Sequence, residues 1–241
     1  MKYPKIQSLW KREGASYTKE ELKKLTPEQK RNRHKFIRDE YSCDEFANIK
    51  HWMLTEKIDG MNIRIMAERK AVVENQELTG TVWEVKFAGR TDNACLPPKL
   101  LEYLQGHFTP ELFEEVFEDA THVTLFGEGF GPKIQSGGYY GKEQRFVLFD
   151  VVIGRWWMEY DTVIEMAIKM GIQAAPLLQN GEGNSFGWKE DEIIQYVMSK
   201  PMSKFAVDEH IMEGIVARPF PMMLHRNGLP IRFKLKVKDF G

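Results

Sequence analysis

The 241-residue sequence contains only two cysteines, Cys43 and Cys95, and neither sits in a CxxC or CxxH spacing. This excludes a disulfide framework and a zinc ribbon, so both are expected to be small buried hydrophobes. No apolar run approaches the roughly 18–20 residues of a membrane-spanning helix, which excludes a helical membrane protein. The opening MKYPKIQSLWKREG has no apolar stretch followed by small residues, so it is no secretory signal, and a cytoplasmic protein is expected. Repeats, low-complexity tracts and long linkers are also missing, and one continuous domain over 1–241 is the expected organisation. The six histidines form no HExxH or other ligand spacing and indicate no metal chemistry. Net charge is almost absent, with 34 Lys+Arg against 35 Asp+Glu, so there is no strong global field.

The neutral total hides an uneven distribution. Residues 1–40 carry 12 Lys+Arg and 6 Asp+Glu, against 22 and 29 in the remainder. The densest part is KRNRHKFIR at 30–38, where Lys30, Arg31, Arg33, Lys35 and Arg38 could meet a phosphate backbone, although taken alone the run reads first as a solvated helix face. Helical periodicity predicts helices at about 18–38, 110–119, 160–171 and 189–199. Strand-like runs occupy 61–69, 82–90, 122–129, 145–153, 213–218 and 231–238. The pattern is α+β with predominantly antiparallel sheet. In the last run Ile231, Phe233, Leu235 and Val237 alternate with Arg232, Lys234, Lys236 and Lys238. Cations stacked on one strand face repel one another, which suits an anionic ligand opposite, or an edge strand facing water.

In TEKIDGMNIRI, residues 55–65, Lys57 lies two residues before Asp59-Gly60, where a turn leads into a strand. The arrangement suits a nucleophilic lysine. Such an amine attacks only when unprotonated, which requires burial or neighbouring cations, and Lys234 and Lys236 are the expected neighbours. A Lys-x-Asp-Gly string alone is a weak signal, so its weight depends on the segments further along the chain.

Lys57-Ile58-Asp59-Gly60 resembles motif I of the covalent nucleotidyltransferases, the superfamily of ATP-dependent DNA and RNA ligases and mRNA capping enzymes. Four further segments resemble its later motifs in the family's order: Phe126-Gly127-Glu128, Phe146 to Asp150, Glu213-Gly214-Ile215-Val216 and Lys234-Leu235-Lys236. The resemblance implies a nucleotidyltransferase domain of antiparallel sheets flanked by helices, using ATP and Mg²⁺. It implies a lysyl-AMP on Lys57, transfer of AMP to a 5′-phosphate, and sealing by a 3′-hydroxyl. By the same resemblance Glu56 is expected to help read the adenine edge and Asp59 to orient nucleophile or nucleotide. Glu128 would hold the ribose hydroxyls, and Phe149 would stack on adenine unless it is an ordinary strand-core aromatic. Glu213 would act near the metal through water, while Lys234 and Lys236 would contact the α-phosphate and stabilise the departing pyrophosphate.

Two features narrow this expectation. The fifth residue after the lysine is Asn62, as in the RNA ligase 2-like branch, where DNA ligases usually have Arg; Arg64 shares its strand face. The sequence also ends five residues after Lys236, so a ligase domain without an appended OB-fold is the expectation. GEGFGPKIQSGGYYG at 127–141 and the opening YPKIQSLWKR resemble short RNA ligases of bacteriophages and some bacteria. Gly89-Arg90-Thr91-Asp92 is similar to a segment that handles the acceptor strand, with a surface turn as its plain alternative. Asn62, Arg64 and Arg90 are therefore the expected substrate-binding residues. The leading expectation is an ATP-dependent RNA ligase whose basic N-terminal segment grips RNA strand ends, with no membrane and no obligate protein partner. A DNA or mixed DNA/RNA strand ligase, and a nucleic-acid-binding module without catalysis, are the alternatives.

Overall fold

The computed structural model describes residues 1–14, 17–74 and 77–240. In chain order the elements begin with β1 (Gln7–Ser8), β2 (Trp10–Arg12), α1 (Lys19–Lys24), α2 (Pro27–Asn32), β3 (Phe36–Tyr41) and β4 (Trp52–Glu56). Next come β5 (Met61–Glu74), β6 (Glu77–Gly89), α3 (Pro98–His107), α4 (Pro110–Val116), β7 (His122–Phe130), β8 (Arg145–Ile153) and β9 (Trp156–Trp157). The last are α5 (Tyr160–Lys169), β10 (Gln173–Ala174), β11 (Leu177–Leu178), β12 (Phe186–Trp188), α6 (Glu190–Met198), β13 (Gly214–Pro219) and β14 (Phe233–Lys236). No helix among the described residues is long and apolar enough to cross a membrane. The expected α+β class with mainly antiparallel pairing is what the chain adopts; the parallel pairs are β1 with β14 and β10 with β8.

Two compact units emerge, neither contiguous in sequence. One comprises Met1–Pro4, Ile58–Pro176 and Phe205–His210; the other comprises Lys5–Lys57, Leu177–Lys204 and the segment from Ile211 on.

The first unit is built on a sheet ordered β10-β8-β7-β5-β6, with β9 pairing β8. The long β5–β6 hairpin forms because Ile63, Ile65 and Ala67 alternate inward. Helix α3 lays the buried Leu100 and Leu104 against this sheet, and α4 contributes Phe113. The 98–107 helix was not among the expected ones, although Pro97-Pro98 followed by Leu100 and Leu104 carries its signature: proline in the first turn and apolar residues four apart.

The second unit centres on a sheet ordered β1-β14-β13-β4-β11, with β12 pairing β4, beside a separate β2–β3 ribbon. Its core gathers Trp52, Phe46 and Phe233 edge-to-face, the Trp52 and Phe233 rings 4.7 Å apart. The single helix expected over 18–38 is instead α1, α2 and the strand β3. Thr18 and Thr26 each form a capping box, with Glu21 and Gln29, and Thr26 is held out of the helical region by Pro27. Phe36 and Tyr41 then pair with β2. The basic cluster is thereby divided between a helix and a strand; the side chain of Arg31 lies outside the described residues. Neither cysteine is fully buried: Cys43 is half-buried at the edge of the second unit's core and Cys95 is exposed, each lying in a connecting segment.

Candidate active site

In the second unit β4 lies between β13 and β11, with Ile215 opposite Glu56. Strand β13 also pairs with β14, placing Gly214 opposite Lys236. This register assembles three strand ends. The backbone N–H of Lys57, just after β4, donates to the carbonyl of Gly214 at 2.9 Å. The Lys57 ammonium donates to Glu213 Oε2 at 2.6 Å, while Lys236 donates to Oε1 of the same carboxylate. Gly214 is needed for this approach: a Cβ there would lie 2.1 Å from the Leu235 carbonyl oxygen. Glu213 is only 12% exposed, and burial alone would raise its pKa, but Lys57 and Lys236 hold it below the usual carboxylate range. Lys234 is pushed down to about 8, first by burial and then by the charges of Lys57 and Lys236. Three lysines around one carboxylate leave a net positive pocket suited to phosphate.

Glu56 is 2% exposed, and its carboxylate accepts from the Ser203 hydroxyl and from the Lys204 N–H at 2.7 Å. A groove of about 900 Å³ in the same unit is lined by Lys5, Lys11, Arg12, Arg33, Lys234 and Lys236 among others. The basic N-terminal elements thus share one groove with the cations of β14. Arg232, expected beside those cations on the polar face, is 5% exposed.

The other expected site residues lie in the first unit. The Asp59 N–H donates to the Tyr140 hydroxyl at 3.1 Å. Gly60 packs so closely on β7 that a Cβ would lie 2.3 Å from the Gly129 carbonyl oxygen. Asn62 stands directly opposite Glu128 in the β5–β7 ladder, so the two side chains share a face. The Asn62 Oδ1 is buried and has no hydrogen-bond partner among the described residues. Phe149 falls where the β7–β8 register shifts, so no β7 residue stands opposite it. Its half-buried ring packs 5.0 Å from Tyr3, and Asp150 accepts from the Tyr3 hydroxyl at 2.6 Å. Phe149 also rests against the cluster of Ile58, Tyr140 and Phe205.

Arg64 is 1% exposed, and its guanidinium donates to the Gly89 and Met1 carbonyls and to Asp92 at 2.6 Å. Arg90 is exposed, just beyond the end of β6. Tyr3, Tyr140 and Ser203 touch the expected residues from 81 to 147 positions away. Tyr3 and Tyr140 fall in the segments that resemble short RNA ligases, but no local spacing marks any of the three as a partner, because each reaches its contact from a turn or coil far away in the chain.

The family model described as RNA ligase matches residues 50–238. Among solved structures, the chain resembles a Naegleria gruberi RNA ligase with PPi, at 17% identity and a TM-score of 0.51, over 78% of this chain and 49% of that one. It resembles a mutant of that ligase with ATP and Mn at 16% identity and a TM-score of 0.51, over 79% and 52%. A second such mutant, also with ATP and Mn, matches at 15% identity and 0.51, over 98% and 57%. This chain therefore spans about half the length of those proteins, and the likeness is one of fold. No match was found among curated protein sequences.

Proposed function

Because the chain belongs to the RNA ligase family, we propose that it joins RNA 5′-phosphate and 3′-hydroxyl ends with ATP, through an AMP carried on Lys57. The observation that carries this reading is the cluster in which Glu213 receives both Lys57 and Lys236. In the resting state Glu213 is ionised and holds Lys57 as an ammonium, which is not a nucleophile. Phosphate arriving among Lys234 and Lys236 gives those cations a second anion to face. Lys57 then sheds its proton to solvent, its nitrogen bonds the α-phosphorus, and the bond to pyrophosphate breaks with Lys234 and Lys236 steadying the departing charge. AMP next passes to an RNA 5′-phosphate, releasing Lys57, and a 3′-hydroxyl displaces it to form the phosphodiester.

The residues present fit a divalent cation of the oxygen-seeking kind. Glu213 offers one carboxylate, and such ions take one or two protein carboxylates with water and substrate phosphates completing the shell. When bound, the ion neutralises phosphate charge. The ATP and Mn held by the Naegleria gruberi mutant support both assignments. In the first unit, Glu128 and Asn62 share a face that suits a ribose, and the unpartnered Asn62 Oδ1 is an acceptor a substrate hydroxyl would satisfy. Asp59 would orient nucleophile or nucleotide, and Phe149 presents a half-buried ring for a base. Glu56, with two protein donors on its carboxylate, would read the adenine edge. Arg64 would act on substrate by fixing Asp92 and the end of β6, next to the exposed Arg90.

Intact mass after incubation with ATP and Mg²⁺ tests the reading directly: the wild type gains one AMP and Lys57→Ala gains none. No adduct on purified, initially unadenylated wild type would overturn it in favour of a binding module. Replacing the 3′-terminal ribonucleotide of a nick by a deoxynucleotide is expected to slow sealing, and an unchanged rate would favour a DNA or mixed-strand ligase.

A further inference from the structure

In the second unit, Cys43, Glu45 and His225 converge although His225 lies 180 residues beyond Glu45. The Cys43 thiol donates to Glu45 Oε2 at 2.7 Å, and His225 Nδ1 lies 2.9 Å from Glu45 Oε1. The three donor atoms all fall within 4.8 Å of one another. We propose that Cys43, Glu45 and His225 form a zinc site, with water as the fourth ligand.

The donor set selects the metal. Thiolate, imidazole and carboxylate together suit Zn²⁺, whereas Mg²⁺ and Ca²⁺ require oxygen ligands throughout. Charge balances as well, since one thiolate and one carboxylate neutralise the dication. On binding, the Cys43 S–H bond breaks, the sulfur bonds zinc and the proton leaves to solvent. Tetrahedral zinc places neighbouring ligand atoms roughly 3.3–3.8 Å apart, so the present contacts must open by about 0.5–1 Å. Glu45, its side chain 46% exposed, has room to do so.

The backbones carrying the donors are already held. Cys43 flanks the 3₁₀ turn Asp44–Asn48, whose Phe46 N–H donates to the Cys43 carbonyl and whose Phe46 ring is buried in the core. His225 sits in a tight loop: its N–H donates to the Leu229 carbonyl at 2.8 Å, Gly228 donates back to its carbonyl at 2.9 Å, and Leu224 bridges Pro230. Two separately anchored turns thus present the donors, which limits the ordering that binding must impose. The metal would staple the 43–48 turn to the 224–230 loop. None of this depends on the ligase reading.

Protein stripped of metal by a chelator and titrated with Co²⁺ reports thiolate ligation through a sulfur-to-cobalt charge-transfer band. We expect one equivalent per chain, a band absent from Cys43→Ser but kept in Cys95→Ser, and its loss on adding one equivalent of Zn²⁺. Zn²⁺ affinity, measured against a chromophoric chelator, should fall roughly tenfold or more in His225→Ala, with an unchanged circular dichroism spectrum. If Cys43→Ser does not fold, His225→Ala and Glu45→Gln decide the matter. No charge-transfer band, a band that depends on Cys95, or unchanged affinity in both His225→Ala and Glu45→Gln would overturn the assignment.

Discussion

Lys234 shows how the charge of a single buried side chain bears on stability. Burial, then Lys57 and Lys236, lower its pKa to about 8 from an ordinary 10.5. A lysine whose folded value is below its unfolded one costs stability while charged. Between about pH 8 and 10.5 the unfolded chain binds more protons, so this contribution to stability rises with pH across that window, and the cost is full below it. Replacing Lys234 by Met should stabilise the fold at pH 7 and remove that rise, as urea denaturation at pH 7 and 9.5 would show. The same substitution should weaken inorganic pyrophosphate binding, which in the wild type declines as pH passes 8. A stability profile identical in Lys234→Met would mean that the lysine is not held in a costly charged state.

At the scale of elements, the strands carry the site and tolerate little change. Gly127 in β7 has no room for a side chain, because a Cβ would lie 2.2 Å from the Phe146 ring and 2.3 Å from the Val147 carbonyl oxygen. Gly127→Ala should therefore cost about 1–3 kcal/mol through overpacking. In β14, Phe233 is fully buried between Trp52 and Phe46, and Phe233→Ala should cost about 3–5 kcal/mol. Urea midpoints measure both, and a cost under about 1 kcal/mol for Phe233→Ala would contradict the described core. The β14 strand was legible in the sequence because apolar and cationic residues alternate at period two. Its polar face was only partly legible: Arg232 is buried, since the strand begins at Phe233 and the alternation rule does not govern residues before it. Residues 18–38 misled for a related reason. Their charges fit helical periodicity, but a second threonine cap before Pro27 restarts the helix, which closes at Asn32 with Arg33 as its cap, and β-forming Phe36 and Ile37 then begin β3.

For the whole molecule, charge distribution matters more than net charge. The excess cations of residues 1–40 reach the groove that also contains Lys234 and Lys236. If this groove grips RNA, Lys11→Ala should weaken binding about equally across sequences. It should also reduce the slope of log affinity against log salt by about 0.7, the value for one phosphate contact on a single strand. Fluorescence anisotropy over a salt series measures this, and an unchanged slope would place the RNA elsewhere.

The sequence by itself determined the α+β class, the positions of β5, β6, β7, β8, β13 and β14, and the ordered segments resembling nucleotidyltransferase motifs, because alternation and short motifs are local properties of a chain; β4 and the short strands were not legible. Only the tertiary structure decided which groups meet. Sheet register joins Lys57, Glu213 and Lys236, while connecting segments bring Ser203 and Lys204 to Glu56 and Asp92 to Arg64. The convergence of Cys43, Glu45 and His225 was equally invisible to ligand spacing. Contacts between residues far apart in the chain depend on strand pairing and core packing, and those are settled by burial across the whole unit rather than by neighbours in sequence.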